Sequence, residues 1–160
     1  MNIVLVGPLI PQNTGSVGRT CVATGASLHL VEPLGFDIDE KAVRRAGLDY
    51  WKDVDLHVHS GWSACEAALA LPPDRLWFFS ARATRPYTTA RFRPGDALIF
   101  GRETTGLGDE RLAELGAQAL AVPVPGPVRS LNLATSVGIV LYEALRQTRA
   151  DLLPPPEERS

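Results

Sequence analysis

The chain has 160 residues, 45% of them hydrophobic and 21% charged, with a formal net charge of −2 at pH 7. That length supports one domain able to bury about two-thirds of its unfolded surface, and the near-neutral balance excludes a globally basic surface, so any nucleic-acid contact must come from a local patch. The amino end MNIVLVGPLIPQ lacks a basic leader, no apolar run reaches about 18 residues, and Cys21 and Cys65 lack metal-ligand spacing, so a cytoplasmic protein with two buried thiols is expected.

Short apolar runs rich in β-branched and aromatic residues predict strands over 2–7, 28–32, 56–59, 76–80, 97–101 and 120–124. Helices are predicted between them: 13–25 stopped by Gly25, 39–46 before Gly47, 60–71 capped by Ser60, 109–115 capped by Asp109, and 130–149 capped by Ser130. Such alternation implies an α/β fold, a mostly parallel sheet flanked by helices. Residues 1–150 read as a single domain, and the tail DLLPPPEERS, 151–160, reads as disordered. His57 and His59 alternate onto one face of the third strand as expected surface residues, and together with His29 they suggest no metal.

Ligands of parallel sheets bind beyond the carboxyl ends of the strands, which directs attention to three loops. GPLIPQNTGSVGRTC, 7–21, enters the first helix with Asn13 or Thr14 as candidate cap. Gly15 and Gly18 each cost that helix about 1 kcal/mol relative to Ala, so either tight packing or a ligand must use the bare backbone. Arg19, one turn into the predicted helix, is a cation where the macrodipole disfavours one, so a partner is expected. Glu32 after the second strand mimics the ribose-binding acid of a dinucleotide site, but the G-x-G-x-x-G spacing is absent.

LIFGRETTGLGDERL, 98–112, runs a strand into a glycine-rich turn that carries Glu103, a carboxylate placed to collect hydrogen bonds. VPVPGPVRS, 122–130, is stiffened by Pro123, Pro125 and Pro127, a loop suited to reading a ligand edge with its backbone. In the helix that follows, Leu133, Val137, Val140 and Ala144 form the expected buried stripe, while Asn132, Ser136 and Glu143 form a polar one. Between these loops, ARATRPYTTARFRPG, 81–95, interleaves Arg82, Arg85, Arg91 and Arg93 with Tyr87 and Phe92, a pattern expected to grip phosphates and stack on unpaired bases.

Taken together, NTGSVGR, FGRETTGL and RSLNLATSVGIVLYEALR resemble the three motifs of the SPOUT superfamily of RNA methyltransferases. The compact length and RRAGLDYW, 44–51, are similar to its single-domain branch, the tRNA (cytidine/uridine-34) 2′-O-methyltransferases. The resemblance implies a carboxyl-terminal deep trefoil knot, a homodimer, S-adenosylmethionine as cofactor and the tRNA anticodon loop as partner, with no metal and no membrane. It further implies cofactor binding by Phe79, Gly101, Val122 and Ser130, with Gly106, Leu107 and Leu131 nearby. Arg19 would activate or stabilise the ribose 2′-oxygen, with Asn13, Glu103, Ser130 and Asn132 holding it and the cofactor in place; Tyr142 would sit in the dimer interface. Departures from the family pattern fall in Gly126-Pro127-Val128 and in FSARA, 79–83. The alternatives are a 2′-O-methyltransferase for another tRNA or rRNA position, a non-catalytic RNA-binding knot protein, and an ordinary doubly wound nucleotide-cofactor enzyme.

Overall fold

The computed structural model describes residues 1–38 and 50–149; the helix predicted over 39–46 and the tail 151–160 lie outside the described residues. Seven strands are described: β1 (Asn2–Val6), β2 (Ser27–Val31), β3 (Leu56–His59), β4 (Leu76–Phe79), β5 (Arg85–Pro86), β6 (Ala97–Phe100) and β7 (Leu120–Ala121). They pair in parallel throughout, in the order β3-β2-β1-β6-β4-β7-β5. β6 is therefore inserted between β1 and β4, and β7 between β4 and β5, although both follow those strands in sequence. An ordinary doubly wound order built outward from β1 does not match this path. Pro123 follows the short β7, which ends before the predicted 124 because proline supplies no ladder N–H.

The central strands are buried on both faces, which explains their continuous apolar runs. One face, with Ile3, Leu5, Leu28, Leu30, Leu98 and Phe100, is covered by Val17 and Cys21 of α1 (Pro11–Thr24) and by α4 (Leu133–Thr148). The predicted α4 stripe is in place: Val137, Val140 and Ala144 are fully buried, and Leu133 packs at the edge. The other face, with Val4, Val31, Phe78 and Ile99, is covered by Cys65 of α2 (Trp62–Leu69) and Leu115, which ends α3 (Asp109–Leu115). Both cysteines are buried free thiols.

Helix starts depart from the predicted caps. The N-cap positions of α2 and α3 are Gly61 and Gly108 rather than Ser60 and Asp109, and neither helix has a side-chain cap. The cap of α4 is Asn132, whose Oδ1 accepts from Ala134 N and Thr135 N, so Ser130 stays outside the helix. Gly25 does end α1, at φ 69°, with its N–H donating back to the last turn.

Gly18 is explained by packing: a Cβ there would stand 2.6 Å from a ring carbon of Trp51, while the Tyr50 hydroxyl donates to Gly15 O at 3.0 Å. The bare helix backbone seats an aromatic segment rather than a ligand. The histidines also differ from expectation. His57 is exposed, but His59 is buried beside His29, because β3 lies in register with β2 and α2 covers that face.

Candidate active site

Strands β1, β6, β4 and β7 end side by side at the carboxyl edge of the sheet, and the segments that follow them line a cleft of about 820 Å³. Phe79 and Phe100, register partners on β4 and β6, stack at 4.8 Å and line it. Val122 and Leu131 add apolar wall, while Gly101, Gly106, Ser130 and Asn132 bring backbone and polar atoms. The volume lies within the ordinary range for a small-molecule site, and so does the mixture of apolar walls with a few convergent polar groups. Of the residues predicted to bind cofactor, only Leu107 does not line the cleft. Its side chain packs against the core on the opposite face.

Gly101 is required by the protein backbone itself. A Cβ there would lie 2.0 Å from Gly106 C and 2.3 Å from Leu107 N, because the turn folds back through paired hydrogen bonds between Arg102 and Gly106 of 2.9 and 2.8 Å. Gly106 takes the left-handed conformation, φ 62°, that closes this turn.

The polar side of the cleft is a continuous relay. Asn132 Oδ1 is committed to the amides at the start of α4, so its Nδ2 faces Asn13 and donates to Asn13 Oδ1 at 2.9 Å. Asn13 Nδ2 then donates to Glu103 Oε1 at 3.1 Å, and the Glu103 carboxylate also accepts from Leu9 N at 2.8 Å and Ile10 N at 3.1 Å. Every amide orientation in the chain is dictated by its neighbours. Glu103 thereby supplies the anionic cap at the start of α1 that neither Asn13 nor Thr14 provides locally, since α1 begins at Pro11 with Ile10 as N-cap. One residue from each of the three loops meets in this relay. Ser136 joins the cleft wall, whereas Glu143 is held far along α4 by Arg146 and Gln147, which keep its carboxyl down at about 2.

Arg19 stands apart. It is the ninth residue of α1, in the middle of the helix, where the end charges of the macrodipole no longer act. The dipole reasoning for a partner therefore lapses. Its guanidinium lies 4.7 Å from the Tyr50 ring centroid, it does not line the cleft, and it forms no pair with Glu103, whose oxygens are already engaged. Of the four arginines of 81–95, only Arg82 lines the cleft. It pairs with Asp109, Arg85 bonds Thr89, and Arg93 pairs with Asp74 at 2.6 Å beside the amino end of β6. Phe92 is buried with its ring 5.3 Å from Trp77, so it is not a stacking platform; Tyr87 is half-buried against the core.

The SpoU rRNA Methylase family matches residues 1–142. The chain belongs to this family. It is 45% identical over 147 residues to the tRNA (cytidine(34)-2′-O)-methyltransferase of Burkholderia ambifaria, covering 91% of this chain and 94% of that one. A structure solved for the 2-OH methylation of C/U34 on tRNA superposes with a TM-score of 0.82 at 50% identity, covering 91% of this chain and 94% of the other. An AdoMet-bound rRNA methyltransferase from Sinorhizobium meliloti shares the fold, with a TM-score of 0.77 at 24% identity over 91% of this chain and 55% of that one. The matched span contains every residue that lines the cleft. No described helix is long and apolar enough to cross a membrane.

Proposed function

We propose that the protein transfers a methyl group from S-adenosylmethionine to the ribose 2′-hydroxyl of nucleotide 34 in the tRNA anticodon loop. The observation that carries this reading is the relay joining Glu103, Asn13 and Asn132 across all three family motifs at the wall of one cleft. Close similarity to proteins named for C34 methylation supports the substrate.

Phe79, Phe100, Val122 and Leu131 would hold the adenosine portion of the cofactor, with the backbone at Gly101, Gly106 and Ser130 reading its edges. Bound there, S-adenosylmethionine supplies a sulfonium methyl that is already electrophilic, so no metal is assigned a part in the transfer. The relay would hold the cleft loops in one arrangement, the positioning that methyl transfer to a hydroxyl requires of the protein. Arg19, which does not line the cleft, is assigned to the 2′-oxygen of the bound ribose, where it would orient that atom and stabilise developing charge. Arg82 at the cleft wall is assigned to the phosphates, and Arg85, Arg91 and Arg93 to weaker peripheral contacts.

The insertion of β6 and β7 between earlier strands supports a knotted carboxyl-terminal region. Exposed Tyr142 on α4 supports a homodimer, and the substrate class a cytoplasmic location. Labelled S-adenosylmethionine with an anticodon stem-loop tests the function directly. Transfer is expected to a substrate with a 2′-hydroxyl at nucleotide 34 and not to its 2′-deoxy counterpart; equal labelling of both would overturn it.

A further inference from the structure

The face of the sheet covered by α2 carries a second polar cluster, outside the cleft lining. His29 on β2 and His59 on β3 are both buried, with His29 Nδ1 3.0 Å from His59 Nε2. Cys65 on α2 is fully buried beside them, and one ligand atom from each of the three lies within 4.8 Å of the others.

The hydrogen-bond network selects the tautomer of His29. Asn2 Nδ2 donates to Gly95 O at 2.8 Å, so its Oδ1 faces His29 and accepts from Nε2–H at 3.3 Å. Nδ1 of His29 is thereby left as a lone pair aimed at His59. This is the arrangement in which an outer amide fixes the orientation and basicity of a metal-ligating imidazole. His57, stacked on His29 at 4.6 Å, has its Nε2 engaged by Asp55 at 3.1 Å and contributes no ligand atom to the cluster.

We propose that His29 Nδ1, His59 Nε2 and Cys65 Sγ form a site for a divalent cation of the zinc class, with water as fourth ligand. Tetrahedral bonds of about 2.0 Å to nitrogen and 2.3 Å to sulfur require N···N near 3.4 Å and N···S near 3.6 Å. The imidazoles need to open by only a few tenths of an ångström. The sulfur has at most about 1.2 Å to close, within reach of rotation about the Cα–Cβ bond of Cys65. On binding, the Cys65 proton leaves to solvent, since a coordinated thiol is deprotonated outright, and the His59 proton moves from Nε2 to Nδ1. The ion would tie edge strand β3 and α2 to β2, and nitrogen with thiolate selects zinc or cobalt over calcium or magnesium.

Cobalt(II) added to the reduced full-length protein tests this. One equivalent is expected to bind with a near-ultraviolet sulfur-to-cobalt charge-transfer band and strong tetrahedral visible bands, both lost when zinc is added. Cys65→Ser should remove the charge-transfer band. His59→Gln, and Asn2→Ala through the lost His29 partner, should each weaken binding about tenfold or more. Circular dichroism establishes that each variant is folded, and Asn2→Ala leaves all three ligands in place. A weak octahedral spectrum without the sulfur band, or binding that survives Cys65→Ser and is lost in His57→Gln, would overturn the proposal and place the ion on the exposed His57–Asp55 pair.

Discussion

Strand β6 carries a carboxylate just beyond each of its ends, and the two are used differently. Asp96, at the amino end, is fully buried: it pairs with Arg75 and accepts from Trp77 Nε1 at 2.7 Å and Arg93 N at 2.8 Å. Glu103, beyond the carboxyl end, has no cationic partner among the described residues. It holds two backbone amides and Asn13 while lining the cleft. Asp96 neutralises a buried charge with a charge and closes one corner of the fold. Glu103 ties together the loops that leave the neighbouring strands β1 and β6. A carboxylate's role here depends on which end of a parallel strand it occupies and on what it connects.

Gly101→Val must displace the Gly106–Leu107 backbone, and calorimetry should register complete loss of S-adenosylmethionine binding, with a stability loss of about 3 kcal/mol. Retained affinity would show that the turn does not shape the cleft.

At the other end, Asp96→Ala strands Arg75 and the Trp77 N–H. Urea denaturation should show a loss of about 3 to 5 kcal/mol, with kcat and KM of the folded protein unchanged at a permissive temperature. Glu103→Gln should reverse that pattern. It keeps the shape but offers an NH₂ where two amides and Asn13 need acceptors, costing about 1 to 3 kcal/mol and at least about tenfold in kcat. If Asp96→Ala lowers kcat as much as Glu103→Gln does, the division between the two ends fails.

The amino-end network extends through Asn2 to His29, whose imidazole is pushed down to about 4, first by burial and then by His57 and His59, against a smaller opposing effect of Asp55. The unfolded chain therefore takes up a proton near pH 6.5 that the folded protein refuses. The resulting loss of stability is absent above that pH, grows as pH falls, and is complete below about 4. With a chelator present, stability should drop on the order of 2 kcal/mol over that window, and His29→Asn should remove this part of the pH dependence. The smallest effects concern the arginines: Arg82→Ala at the cleft should weaken anticodon stem-loop binding several-fold and reduce its salt slope by about one. Arg93→Ala, by Asp74 at the far end, should change it by less than about twofold.

Periodicity and turn chemistry were enough to place most of the elements. Six of the seven strands and four helices read directly from apolar runs and breakers, because parallel strands buried on both faces leave an unmistakable apolar signature. The two-residue β5 has no room for a pattern. The three loops stood out by their glycines, prolines and lone carboxylate after strands, although Gly18 and Gly101 turn out to serve the protein's own packing.

Spacing and motifs along single elements were enough for the α/β class, the buried stripe of α4, the three loops that line the cleft and the likeness to RNA methyltransferases. Only the tertiary structure decided that Glu103 caps α1 from some 90 residues away, that Gly18 receives Trp51, that Arg82 and Arg93 stand at opposite ends of the sheet, and that His59 is buried beside His29. Each of these is a spatial relation between segments distant in sequence, set by how the elements are arranged around the sheet. The strand order, with β6 and β7 inserted between earlier strands, is selected by how all the apolar faces pack at once and not by any local stretch of chain.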